Sequence, residues 1–195
     1  MPDDERNVPV DRDSYQVAEE LAAQLEAAGC EYALGGAIAL GFWAEARGTL
    51  DVDVTLFLPL GDPSRCMQLL EKIGCQLDRR RTEETLNEHG FCQVQFQGIR
   101  LDVFLPMTDF YETAKGRRRE VPIGSRQAFI WDAETLCVFK MMFFRQKDLV
   151  DIESILRSQG GSLDRDWIEK RLLEIYGQRD PRISRWQELA AQNQD

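Results

Sequence analysis

The sequence is short of the residues on which many hydrolases and metalloproteins depend. It contains one histidine, His89, and five cysteines, Cys30, Cys66, Cys75, Cys92 and Cys137, none in a Cys-x-x-Cys pair. A single imidazole, set in the polar segment "TEETLNEHGF", assembles neither a histidine metal cluster nor a serine-type triad. Odd, scattered thiols fit neither a disulfide framework nor a zinc site, and we read them as small buried hydrophobes. Positive charge is scarce too: 24 Lys and Arg stand against 34 Asp and Glu, for a net charge of −10. That balance works against general attachment to nucleic acid or to an anionic membrane. No apolar run approaches the length of a bilayer span, and "MPDDERNVPVDRD" has no apolar stretch of the secretion-signal kind. The expected compartment is the cytoplasm, with no membrane partner.

What is present suffices for one core, since the chain has 195 residues and is 43% hydrophobic. From Ser14, Val17, Leu21, Leu25 and Ala28 recur at helical spacing and Gly29 stops the helix. "CEYALGG" reads as a short buried strand ending in a glycine pair, "AIALGFWAEA" as a helix, and residues 50–58 as a second strand. "SRCMQLLEKIG" is helical, "CQLDRRR" begins a strand, and "TEETLNEHG" is a loop. "FCQVQFQG" and "IRLDVFLP" alternate with a period of two and return on each other at Gly98. From about Ala133 only helices follow: "AETLCVFKMMFFRQKDLVDIESILRS", "DRDWIEKRLLEIY" and "RISRWQELAAQ". The expectation is an α/β (α+β) chain: a disordered tail over residues 1–12, a mixed-sheet core over 13–130, and a helical part over 131–195.

The strand "DVDVTL" raises the functional question. Asp51, Asp53 and Thr55 share one face while Val52, Val54 and Leu56 share the other. Strands disfavour Asp, and two carboxylates on one face repel. A solvated edge strand is the plainer account. Asp102 repeats the pattern, on a face with Arg100 and Phe104 and opposite Leu101, Val103 and Leu105. Three carboxylates meeting on one patch would call for cations among them, and magnesium, a hard ion held by oxygen ligands, suits the place. Two such ions organise an in-line displacement at phosphorus. The junction "LGGAIAL" adds Gly35 and Gly36, which permit close backbone approach before a helix N-terminus. Arg47 and Thr49 precede the acidic strand, and Arg47 either contacts phosphate or holds the Asp cluster by a salt bridge.

The string "GGAIALGFWAEARGTLDVDVTLFL" followed by "IRLDVF" resembles the polymerase-beta-type nucleotidyltransferase superfamily. The spelling Gly-Gly-x-Ala, then Arg-x-Thr-x-Asp-x-Asp, with the later "FKMMFFRQKDLVDIESIL", is most similar to its minimal nucleotidyltransferases and AbiEii-type toxins. The resemblance spans residues 30 to 157. It implies a nucleotidyltransferase fold and a Mg2+-dependent enzyme, with two ions when substrate is bound, that moves a nucleoside monophosphate from an NTP to a hydroxyl of RNA, protein or a small molecule. Asp51, Asp53 and Asp102 would bind metal, Asp102 also activating the acceptor, and Gly35 and Gly36 would cradle the triphosphate. Lys140 would meet its phosphates, while Arg145, Lys147, Asp148 and Asp151 would line or brace the cleft. A cognate toxin or antitoxin protein is an implied partner. Where many members place Ser after the first glycine, this chain has Gly36 and then Ala37, so phosphate contact there falls to the backbone.

Other readings stay open at this point. A catalytically silent, antitoxin-like binding protein would keep the same fold, and antibiotic nucleotidyltransferases share the Gly-Gly-x-Ala turn. On one continuous helix, Lys140, Lys147 and Asp151 would fall on one face, as would a solvated stripe of intrahelical ion pairs. The basic islands "RRR" (79–81) and "KGRRRE" (115–120) would guide an RNA acceptor or be solvated loops. Trp43, Phe139, Phe143 and Phe144 read as core or interface.

Overall fold

The computed structural model describes residues 13–58 and 62–193. The tail expected over residues 1–12 therefore lies outside the described residues. Helix α1 (Ser14–Ala27) starts where the Asp13 carboxylate accepts the Gln16 N–H, satisfying one of the donors a helix start leaves free. It buries Val17, Leu21 and Leu25 along one stripe. Strand β1 (Tyr32–Leu34) is buried throughout. It leads through Gly35 into α2 (Gly36–Trp43), and β2 (Asp51–Leu56) returns beside it. Next come α3 (Pro63–Lys72), α4 (Arg79–His89), β3 (Phe91–Phe96), β4 (Ile99–Phe104), α5 (Phe110–Lys115), β5 (Arg119–Ile123) and β6 (Arg126–Ile130). Helices α6 (Ala133–Phe143), α7 (Gln146–Gln159), α8 (Arg165–Tyr176) and α9 (Pro181–Gln192) complete the described part.

The six strands form one mixed sheet in the order β3-β4-β2-β1-β6-β5. β2 runs parallel to β4 and β1 parallel to β6, whereas β1–β2, β3–β4 and β5–β6 are antiparallel. The alternation read from the sequence sets the faces. Val52, Val54 and Leu56 of β2 and Leu101 and Val103 of β4 are at most 1% exposed, and burying each such side chain is worth about 1.5–3 kcal/mol. The apolar cluster to which they belong runs without a break from Val17 to Leu189, so the C-terminal helices and the sheet share it. The opposite face of β2 and β4 is left for Asp51, Asp53, Arg100 and Asp102. Four of the cysteines are buried, and burial pushes the thiols of Cys66, Cys75 and Cys92 up to about 12, so they serve as packing groups. Among the described residues no helix is long and apolar enough to cross a membrane.

Three segments depart from the sequence reading. "RRRTEETLNEH" is helix α4, where a strand start and a loop were expected; only Gln76 pairs in the sheet, with Gln95. The helix was masked because it buries only Thr82 and Leu86. The β5–β6 hairpin had no counterpart in the sequence reading, because edge strand β5 ("REVPI") alternates poorly and carries Pro122. The long helix expected from Ala133 is two helices. Phe144 takes a left-handed conformation (φ +55°) at the end of α6, and Asp148 accepts the Arg145 N–H to start α7. No Gly or Pro announces that break.

Candidate active site

β2 and β4 pair so that Asp53 lies directly opposite Asp102, and Asp51 opposite Arg100. Carboxylates 49 and more positions apart in sequence thus lie side by side because a parallel register aligns them. Gly36, at φ +52°, is the residue that makes room: a Cβ there would collide with Oδ2 of Asp53. Gly35 donates its N–H to the Asp53 carbonyl at 2.9 Å. The glycine pair therefore seats Asp53 against the start of α2, in addition to lining the cleft.

Electrostatics separates the three carboxyls. Burial, then the charges of Asp102 and Asp51, push Asp53 up to about 6. Asp102 is also raised, by burial and by Asp51, against the pull of Arg100. Burial acts on Asp51 as well, yet the Thr49 hydroxyl, which donates to Oδ1 at 2.6 Å, and the Arg100 guanidinium hold it below the ordinary range. Gln93 Nε2 donates to Asp102 at 3.2 Å.

Arg100 is the residue that sequence reasoning missed as part of the site. Its Nη2 meets Asp51 Oδ2, and its Nε lies 3.1 Å from Asp102 Oδ1. The signal was available: Arg100 is two residues from Asp102 and so shares its face. Among the described residues no group of three or more His, Cys, Asp or Glu is gathered as a ready metal cage, and the Arg100 guanidinium contacts both Asp51 and Asp102. The donor set nonetheless fits a hard divalent ion: oxygen-only, anionic, and with Asp53 raised by burial and then by its like-charged neighbours. Replacing Arg100 with Gln should tighten magnesium binding about tenfold, because the ion no longer competes with a fixed cation. Calorimetric titration of the nucleotide-free protein with MgCl2 measures this directly.

A cleft over these carboxylates is lined by Gly35, Gly36, Arg47, Thr49, Lys140, Arg145, Lys147 and Asp148 as well as by Asp51, Asp53 and Asp102. Every residue that the sequence assigned to metal, catalysis or nucleotide lines it except Asp151, which braces two cations. Asp151 accepts from Arg47 Nε at 2.9 Å, from Arg47 Nη2 at 3.0 Å and from Lys140 Nζ at 2.5 Å. The salt bridge to the Asp cluster, one of the two roles expected of Arg47, is made by Arg100 instead, while Arg47 is paired with Asp151. The helix break also changes how these groups meet. Lys140 on α6 reaches Asp151 across to α7, not along one helix face. Asp148 accepts the Arg145 guanidinium at 2.7 and 3.2 Å. Lys147 is exposed and makes no ion pair with a described residue, and its charge favours the ionised forms of Asp51 and Asp53. Further lining comes from Trp131, Phe139 and Tyr111, which pack ring to ring, and from Phe143, which at 47% exposure is not in the core, the first of the two places expected for it.

No family model matches the chain, and no curated protein matches it. Solved structures do. The crystal structure of ANT(2")-Ia in complex with adenylyl-2"-tobramycin aligns with a TM-score of 0.59 at 14% identity, over 83% of this chain and 98% of that one. The solution structure of the antibiotic-resistance factor ANT(2'')-Ia aligns at 0.54 and 14% identity, over 91% and 89%. The lincomycin-bound lincosamide antibiotic adenylyltransferase LnuA aligns at 0.52 and 14% identity, over 72% and 94%. At these identities the likeness concerns the fold, and the fold is the nucleotidyltransferase fold expected from the sequence.

Proposed function

We propose that this chain is a magnesium-dependent nucleotidyltransferase that moves a nucleoside monophosphate from an NTP to an acceptor hydroxyl, releasing pyrophosphate. The observation that carries this reading is the register that sets Asp53 opposite Asp102, with Asp51 two residues away, at the floor of a cleft bordered by Arg47, Lys140, Arg145 and Lys147. Like charges kept this close are costly in a mere binding module. Asp51, Asp53 and Asp102 would hold the metal, which when bound neutralises the triphosphate and eases ionisation of the acceptor hydroxyl.

The chain's own residues supply the rest. Lys147, exposed in the cleft, can neutralise phosphate, and Arg145 borders the same space. Gly35 and Gly36 keep the backbone at the α2 N-terminus open to a phosphate oxygen. Asp102, whose carboxyl is raised, is the group placed to accept the acceptor's proton at a carboxylate oxygen. Rate enhancement would come mainly from positioning and fixed charge. The Arg-x-Thr-x-Asp-x-Asp spelling and the Arg145-to-Asp151 segment support the AbiEii-like branch, and with it a toxin–antitoxin role.

Calorimetry with MgCl2 and each of the four NTPs tests the reading. Wild type should bind at least one nucleotide only when magnesium is present, and Asp53→Ala should not bind it. Equal binding by the two proteins, or none by wild type, rejects the enzyme and favours an interaction module on the same fold.

A further inference from the structure

A second cavity adjoins the nucleotide cleft at the acidic pair. It measures about 590 Å3 and shares Asp53, Asp102, Phe104, Phe143 and Arg145, among others, with the nucleotide cleft, whereas Phe91, Met107, Met142 and Tyr176 line this cavity and not that cleft. One wall is a row of aromatic rings: Phe91 and Phe104 with centroids 4.9 Å apart, then Phe104 and Phe143 at 5.8 Å. Met107, Met142 and Tyr176 also line it. Met107 and Phe143 are each 47% exposed, so two of the five exposed large hydrophobic side chains among the described residues sit on this one cavity. Apolar surface clustered beside a reactive centre points to a ligand that covers it.

Resting on the nucleotidyltransferase reading, we infer that this cavity receives the acceptor, and that the acceptor is a small molecule with a planar or apolar body, a hydroxyl, and little net charge. Charge decides the class. A polycation would need carboxylates beyond Asp53 and Asp102, and no other carboxylate lines the cavity. A nucleic-acid backbone would need several free cations, whereas the lining offers only His89 and Arg145, and Arg145 is held by Asp148 and stacked on Phe143. The basic islands do not compensate. Arg79 and Arg80 pair with Glu71 and Glu84, Lys115 and Arg118 with Glu31, and Arg117 with Asp132 and Glu134; neither these nor the exposed Arg81 and Arg119 line this cavity. The volume lies within the usual range for small-molecule sites, roughly 300–1,000 Å3. Methionine and stacked rings suit a flat apolar body, and the shared carboxylates put its hydroxyl where phosphoryl transfer would occur.

The test uses 7-hydroxycoumarin as a neutral planar hydroxyl probe, with tobramycin, a short single-stranded RNA and a tyrosine-containing peptide as competitors. Each is titrated into protein holding MgCl2 and a non-hydrolysable NTP. The coumarin should bind, Met107→Glu should weaken it at least about tenfold by setting a charge in the apolar wall, and Met107→Leu should restore it. Nucleotide binding should be the same in all three proteins, which also certifies that the variants fold. Nucleotide binding without coumarin binding overturns the inference and spares the nucleotidyltransferase reading. So does Met107-dependent binding of tobramycin, RNA or peptide in place of coumarin. Failure of nucleotide binding in wild type overturns the nucleotidyltransferase reading, and the acceptor role falls with it.

Discussion

Asp53→Asn should stabilise the metal-free protein at pH 7 by about 2–3 kcal/mol while removing its magnesium-dependent nucleotide binding. The reasoning is one of proton linkage. In the folded chain the Asp53 carboxyl is pushed up to about 6 by burial and by the charges of Asp102 and Asp51; in the unfolded chain it returns to about 3.9. Between those values the folded state binds more protons than the unfolded one. Stability therefore falls as pH rises from about 4 through about 6, the reverse of the usual salt-bridged carboxylate. Asparagine carries no such charge, so the variant should lose this dependence and melt roughly 5–10 °C higher at neutral pH. Thermal melts in EDTA at pH 5 and pH 7 provide the check. A variant that melts lower than wild type at pH 7, or a wild type with no pH trend, would mean that the acidic patch is not strained.

Asp151→Ala should have the largest destabilising effect, about 3–5 kcal/mol, by leaving a buried ammonium without its partner. Lys140 is 4% exposed and gives its Nζ to Asp151, whereas Arg47 is exposed enough to turn to solvent. The loss therefore falls on the lysine. Adding Lys140→Met to Asp151→Ala should recover most of the stability, because a neutral side chain of similar length fills the same space. Urea unfolding of the two single variants and the double variant measures the coupling. If Asp151→Ala costs less than about 1 kcal/mol, or if the double variant is no more stable than the single, Lys140 is not held by that carboxylate.

The sequence was informative where a period and a charge pattern coincide. β2 and β4 alternate so cleanly that both the buried Val52, Val54, Leu101 and Val103 and the acidic faces opposite them could be read directly. The site was legible for the same reason, since carboxylates in apolar strands are costly enough to stand out. Elements held by few apolar contacts were not legible. α4 has Asp78 as its cap and left-handed Gly90 at its end, but buries too little to show a stripe. The break at Phe144 depends on Asp148 capturing Arg145, a local contact with no signature in composition. Arg100 was read as one more polar residue on a strand face. Its role emerges only when β2 is laid beside β4, because its partner Asp51 belongs to the other strand.

The parallel pairing of β2 with β4 has a consequence for how the molecule comes into being. Antiparallel neighbours can join as a hairpin while the chain is still being made, but β2 must wait for α3, α4 and β3 before its partner arrives. The braces on Lys140 and Arg47 come later still, at Asp151. A polypeptide halted on the ribosome before that point has the Asp51–Asp53 strand without the groups that hold its surroundings in place. The bracing of the proposed site is therefore complete only once synthesis has passed through α7.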